Sequence, residues 1–500
     1  MSSQVLIERS APRRPTKIWP LALVPLSGFI AWAVNTGGEG WRWLFLGGMA
    51  WSMALALLSS LEAGLVAMML FEPLRGFLRR IQYLFLPYSQ TDPIHLVTPL
   101  ITLLALAMVL QKRGLRMFTQ TSLAKLVSVL GLIYFLQIFN PLQGGLAVGL
   151  SGALFILVPV AWFYFGQTIT PDFMRLALRL MVVLGIITSL WGLYHLAYGF
   201  PGFEQYWLDH TDAYESIQVG KIKRALATYS SAEEWGRYIE LGAIIAFGFA
   251  AGAINRVRRT GWFLCGGALA VMLMLTGQRT AIFGLILGVI VLLTLGAQTW
   301  RAALGRLLLA LAPVLLIGML VNAPSSDDMQ SLDEEQRFGA VLSHSTRGAL
   351  SPTQEGSLQE RFTTWSYLAT EVIPHNPLGM GLGATSLSVQ RSDKGAALPP
   401  VDSYFISTAV TCSLAAALLF IGILARAGFM SWRAFQRADR GSPEGQVWRV
   451  VAALMPVLIL NSIFGNTFTL YSVAPVGWLV VGWISAQQLR NMEARSSVQN

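Results

Sequence analysis

The apolar positions of this chain come in long unbroken runs, each closed by a short polar stretch. They cover Ile18–Val34, Trp43 to about Phe71, Ile94–Leu110, Leu123–Phe139, Gly145–Phe165, Leu176–Tyr198, Tyr238–Ile254, Trp262–Leu275, Ala281–Leu295, Leu304–Val321, Tyr404–Leu424, Val450–Phe464 and Val473–Leu489. Most run for about 17–25 residues, the length a helix needs to cross the hydrocarbon core of a bilayer. Strands of a membrane barrel would instead alternate apolar and polar positions over ~10 residues. The pattern predicts an all-α polytopic membrane protein with about 12–14 transmembrane helices. The Trp43–Phe71 run is long for one span, so it is either one tilted helix or a tight helical hairpin. Arg13-Arg14 ahead of the first run could suggest an export signal, but the run is long and no small-x-small cleavage site follows, so an uncleaved span is expected.

The polar stretches divide the chain. Residues 1–199 form the N-terminal transmembrane helices, 200–237 a first outward loop and 238–321 the central helices. Residues 322–402 form a large outward loop, 403–489 the C-terminal helices and 490–500 a tail. The large loop is partly helical: Asp327–Gln354 reads as irregular, and Ser357-Leu-Gln-Glu360 is a capping box opening a helix to about Val372, with Pro374 as its stop. Ser231-Ala-Glu-Glu234 is a second capping box, at the mouth of the Tyr238–Ile254 run.

Charge sharpens this picture. Only 12% of residues are charged and 54% are apolar or aromatic, against about 25% charged in soluble domains. That excludes an ordinary soluble enzyme, a disordered chain and a fibre. The net charge of +10 is concentrated in short loops. Arg256/Arg258/Arg259, Arg301/Arg306, Arg426/Arg433/Arg437/Arg440 and Arg490/Arg495 recur on one side, which the positive-inside rule makes cytoplasmic. No basic stripe with interleaved aromatics lies outside those loops, so no nucleic-acid partner is expected. Arg75/Arg79/Arg80 and Lys112/Arg113/Arg116 both demand the cytoplasm although one apparent span separates them. A missed or re-entrant segment around Ile81–Tyr88 would reconcile them. Cys265 and Cys412 sit in apolar runs as small hydrophobes. No zinc spacing, CxxC, HExxH or Walker loop occurs, so neither metal nor cofactor is expected.

Several outward-facing polar residues lack a topological reason. Arg279, in Thr276-Gly-Gln-Arg-Thr280, is either an anion clamp or an arginine snorkelling to headgroups. Arg361 and Trp365 share a helix face, as a phosphate or sugar contact with a stacking platform, or as a local cation–π pair. Lys221, Lys223 and Arg224 form a basic cluster that either meets an anionic ligand or pairs with Glu204, Asp209, Asp212 and Glu215. Gly379, Gly381 and Gly383 let a turn approach a partner closely. His375 is a base or a turn residue, and Asp402 a base or a helix cap. Glu233, Glu234, Arg237 and Glu240 read by default as local ion pairs.

Four of these pieces resemble the bacterial O-antigen ligase and polysaccharide polymerase family, most strongly from about Gly220 to Phe420. Gln278-Arg279-Thr-Ala is similar to that family's Ser-Arg-Thr at a span start, and Arg361-Phe-Thr-Thr-Trp365 to its Arg-x3-Trp. His375-Asn-Pro-Leu-Gly379-Met-Gly381-Leu-Gly383 is similar to its Pro-Leu-x-Gly-x-Gly turn, and Arg224 with Ala-Leu-Ala-Thr-Tyr to its first-loop arginine. The resemblance implies a metal-independent glycosyltransferase of the bacterial inner membrane, with its active site facing the periplasm. It would polymerise or ligate units from an undecaprenyl-diphosphate-linked donor in exopolysaccharide or O-antigen biosynthesis. Its partners would be that lipid-linked glycan, the bilayer and other polysaccharide assembly proteins. Catalytic roles would fall to Arg279, Arg361, Asp402 and His375, and substrate binding to Arg224, Lys223, Trp365, Gly379, Gly381 and Gly383.

One departure matters. The family's ligases carry a His-Asn pair before the span that follows the large loop, where this chain has Val401-Asp402-Ser403. The difference favours a polymerase-like member and puts Asp402 ahead of His375 as base. A polysaccharide transporter, or a non-catalytic component of an export complex, is the competing reading.

Overall fold

The computed structural model describes residues 38–89, 92–211, 218–219, 222–297, 299, 301–302, 305, 356–385, 398–399 and 401–499. The spans expected at Ile18–Val34 and Leu304–Val321, the stretch Asp327–Gln354 and Lys221 lie outside them or largely so. The architecture is all-helical and multi-pass. Six helices are long and apolar enough to cross a membrane: Gly38–Ser59, Pro93–Arg113, Leu146–Gly166, Pro171–Tyr198, Leu414–Arg437 and Pro443–Ile463. Ser122–Gln137 and Arg279–Leu295 are shorter apolar helices. A pair of two-residue strands, Gln218–Val219 and Ile222–Lys223, decorates the first outward loop.

The helix Ala232–Gly252 is the axis of the bundle. It packs against Pro171–Tyr198, Arg256–Met274, Arg279–Leu295 and Pro443–Ile463, and its residues from Glu234 to Ala246 are buried without interruption. A helix covered on every side must be apolar all round or pair its polar groups. Its near neighbour Arg279–Leu295 approaches through glycines one turn apart. A Cβ on Gly284 would lie 1.7 Å from a Glu240 carboxylate oxygen, and one on Gly288 2.6 Å from Ile244. Small residues allow such contact where helices lack a hydrophobic drive to associate.

The long apolar run after Trp43 is a hairpin. Ser60 is extended, at φ −164° and ψ 153°, and caps the helix Leu61–Phe71 by accepting from the Ala63 amide at 3.0 Å. The arms fold so tightly that a Cβ on Gly64 would touch Leu57 at 2.8 Å. The returning arm continues through Arg75–Ile81 to the end of the bundle that carries the first outward loop. There Arg80 donates to Glu204 at 2.8 Å and to the Ala227 and Tyr229 carbonyls at 2.6 and 2.5 Å. Arg75 meets Glu72 at 3.3 Å and Glu234 at 3.7 Å. The expected cytoplasmic placement of Arg75, Arg79 and Arg80 is therefore corrected. Arg75 and Arg80 are buried, Arg79 is half-buried and lies 3.7 Å from Asp92, and all three are partnered by carboxylates, so they do not act as free topogenic charges. With the hairpin in place, Lys112, Arg113 and Arg116 fall at the opposite end, and no missed span around Ile81–Tyr88 is needed.

The loop helix also differs at its end. Gly356–Tyr367 passes through a π turn, Leu368–Val372, and continues to His375 rather than stopping at Val372. The wider turn shifts the hydrogen-bond register where Pro374 has no N–H to donate, so the proline is accommodated.

Candidate active site

The mouth of the axial helix gathers charged side chains from five separate segments. Ser231 caps that helix, accepting from the Glu234 amide at 3.1 Å, and Glu234 reaches back to the Ser230 amide at 3.2 Å. This closes the capping box read from the sequence, displaced by one residue on its return bond. Glu234 also accepts from the Ser472 amide at 3.2 Å, which ties the helix start to the last span.

Below the mouth lies a buried polar floor. Arg237 donates to Thr280 at 2.7 Å and to Asn461 at 2.5 Å, and lies 3.5 Å from Glu240. Asn461 donates onward to Glu240 at 2.9 Å. One guanidinium thus fixes the helices Ala232–Gly252, Arg279–Leu295 and Pro443–Ile463 relative to each other. Such groups are expensive in a membrane interior unless mutually satisfied; among the described residues Arg237 Nε and one Glu240 oxygen are left without a hydrogen bond.

Above the floor stands a second cluster of charged side chains. Arg361, on the loop helix, binds Asp402 at 3.1 Å, with 32% and 51% of their side-chain surfaces accessible. Asp402 is available for this because Ser403, not Asp402, caps the helix Tyr404–Thr411, accepting from the Ile406 amide at 3.4 Å. Gln278, with its amide oxygen turned toward the donors, accepts from both terminal nitrogens of Arg224 at 3.2 Å and from the Glu233 amide at 3.3 Å. Arg279 follows directly, as the first residue of its helix and half-buried. Glu233 lies 3.9 Å from Arg237, and Gly465 leaves the space its carboxylate occupies: a Cβ there would sit 2.7 Å from it.

The electrostatics follow from this crowding. Burial lowers the pKa of the Arg224 guanidinium, Glu233 pulls it back up and Arg361 adds to the fall. Glu233 stands ahead of the apolar run that starts at Tyr238. Burial raises its carboxyl, the nearby Asp402 adds to the rise, and Arg237, Arg361 and Arg224 oppose it. Burial is the largest effect: loss of hydration penalises the anion more than the neighbouring guanidiniums stabilise it.

The other residues expected at the site divide clearly. Trp365 packs its ring on Phe464 at 5.9 Å and edge-on to Phe362 at 5.7 Å, so it seats the loop helix beside Gly465. Its indole N–H is buried and has no hydrogen-bond partner among the described residues. Lys223 pairs with Asp209 at 3.3 Å. His375 is exposed and bonds back to the Glu371 carbonyl of its own helix. The glycine turn approaches the protein itself. Gly379 and Gly381 hold φ of +88° and +104°. Cβ atoms at 379, 381 and 383 would strike the Thr411 carbonyl at 2.6 Å, Gln143 at 2.6 Å and the Val148 carbonyl at 2.3 Å. The Gly381 amide donates to Thr411 at 3.0 Å and the Gly383 amide to Gln143 at 2.9 Å.

Sequence reading passed over Glu233, Arg237, Gln278, Thr280 and Gly465. Glu233 and Arg237 looked like a local i, i+4 pair. The signal that separates them is position: charges entering an otherwise apolar helix are rare enough to mark a site. Gly465 carries no such signal. Among the described residues no group of three or more His, Cys, Asp or Glu side chains is arranged to hold a metal ion.

Arginines from three segments, two carboxylates and a buried indole at one end of a membrane bundle suit an anionic, partly apolar ligand. No curated protein matches the chain. Arg279, Arg361, Trp365, His375, the three glycines and Asp402 fall within one matched stretch, and Lys223, Arg224 and Glu233 lie outside it. Over residues 264–431 the chain matches the family model of the O-antigen ligases, a family of polysaccharide biosynthesis.

Proposed function

We propose that the protein is a glycosyltransferase of the bacterial inner membrane that polymerises or ligates oligosaccharide units from a polyprenyl-diphosphate-linked donor at the periplasmic face. The observation that carries the reading is the convergence of Arg224, Arg361 and the Gln278-Arg279 step at one end of the bundle. The basic loops at Arg256–Arg259 and Arg433–Arg440 lie at the other end of the helices Ala232–Gly252 and Pro443–Ile463.

The chemistry follows from the donor set. Guanidiniums are permanently charged planar forks that bind phosphate oxygens bidentately. Arg224, Arg279 and Arg361 hold the diphosphate and stabilise the negative charge that grows on it as the sugar leaves. In the resting protein Asp402 keeps Arg361 aimed into the recess, and the phosphate takes over that contact. Trp365 offers its ring to the glycan. A carboxylate of the cluster orients the attacking hydroxyl. Lys223, His375 and the glycine turn serve the framework around this machinery.

Reconstitution tests the reading. Purified protein in liposomes, given a lipid-linked oligosaccharide and an acceptor, lengthens or transfers the glycan. Movement of the glycan without new bonds would make it a transporter, and neither outcome a scaffold of an export complex. The Arg279→Ala, Arg361→Ala double variant should abolish product while inserting normally; full product from it would overturn the assignment.

A further inference from the structure

Resting on that reading, we infer that Glu233 is the general base of the transfer and that Asp402 is a positioning residue for Arg361. Two carboxylates stand in this charged cluster, and their surroundings assign different roles. Asp402 is half exposed and spends an oxygen on Arg361 at 3.1 Å. Glu233 sits deep among its neighbours yet keeps 33% of its side-chain surface accessible, as a group lining a recess does. Its closest cation contact is 3.9 Å away, to the Nε of Arg237, whose terminal nitrogens are committed to Asn461 and Thr280. Among the described residues the carboxylate, lodged against Gly465, is thus not capped by a close ion pair.

The charged groups facing Glu233 come from every element around it. They are Arg237 on its own helix, Arg224 from the first loop, Arg361 from the loop helix and Asp402 ahead of Tyr404. Three of the four are cations, which hold the anionic form ready to act. Burial raises the carboxyl above its ordinary range, toward the operating pH where a base is most effective. The diphosphate held by Arg224 and Arg361 would place the anomeric carbon within this ring of charges.

The step balances as follows. The acceptor O–H bond breaks and its proton passes to a Glu233 carboxylate oxygen. The acceptor oxygen bonds to the anomeric carbon. The bond from that carbon to the phosphate oxygen breaks, and its electron pair leaves on the polyprenyl diphosphate. Glu233 then gives the proton to solvent.

The test compares Glu233→Gln, Glu233→Asp and Asp402→Asn in liposomes, with the lipid-linked oligosaccharide and acceptor as probes. Donor binding, followed by tryptophan fluorescence, shows that each variant is folded. Wild-type turnover should fall on the acid side as Glu233 protonates. Glu233→Gln should lower kcat about 10²–10⁴-fold with donor KM changed little and that acid limb lost. Glu233→Asp should recover part of the rate and the limb. Asp402→Asn should chiefly raise donor KM and keep the limb. A Glu233→Gln enzyme within threefold of wild type, or one retaining the acid limb, would overturn the inference while leaving the proposed function standing. Wild-type protein that makes no product would instead sink the function, and the inference with it.

Discussion

Removing Arg237 should destabilise the protein through the carboxylate it leaves behind. Arg237 and Glu240 are 1% and 0% accessible and 3.5 Å apart. Breaking a buried pair by deleting one partner typically costs about 3–5 kcal/mol, because the survivor is stranded as an uncompensated charge. Glu240 keeps its 2.9 Å hydrogen bond from Asn461, and bonds to charged groups contribute about 1.5–3 kcal/mol. The Arg237→Met variant should therefore lie near the lower end, about 3 kcal/mol. Glu240→Gln removes the charge but keeps an acceptor for Asn461, so adding it should recover about 2 kcal/mol of that loss. Urea unfolding of purified protein in detergent micelles, followed by tryptophan fluorescence, measures all four corners of the cycle. A loss below about 1 kcal/mol for Arg237→Met, or additivity of the two changes within ~0.5 kcal/mol, would refute the argument.

Other outcomes follow from the same geometry. Gly284→Ala must displace Glu240, since the new Cβ would sit 1.7 Å from its carboxylate, and should cost about 1–3 kcal/mol by the same unfolding assay. Gly267→Ala meets nothing within 4 Å and should stabilise its helix by up to about 1 kcal/mol. Arg80→Met should free the first outward loop from the clamp on Glu204, Ala227 and Tyr229, seen as faster limited proteolysis there; unchanged cleavage would contradict the clamp. His375→Gln should retain most product in the reconstituted assay, because His375 is exposed and bonds to its own helix; a hundredfold loss would return it to the reaction.

The sequence alone determined the membrane class, the helical form and which end of the bundle carries the unexplained charge. Those properties depend on local composition: run length sets what can span a bilayer, and the scarcity of charge makes each outward arginine conspicuous. It also singled out Arg224, Arg279 and Arg361 as candidates, because cations expected on the outer side run against the positive-inside rule. Tertiary structure decided the rest. Whether the run after Trp43 is one helix or two turns on Ser60, and only the fold shows the arms in contact. Arg75 and Arg80 look topogenic until carboxylates distant in sequence are seen to neutralise them. The glycine turn looks like a ligand cradle until Thr411, Gln143 and Val148 fill it. Asp402 could have been a cap until Ser403 took that bond and left it for Arg361. Glu233 reads as half of a one-turn ion pair until the recess gathers Arg224, Arg361 and Asp402 around it. In each case the deciding partner is far away along the chain, and a side chain's pairing and hydration depend on which neighbours folding brings within a few ångströms of it.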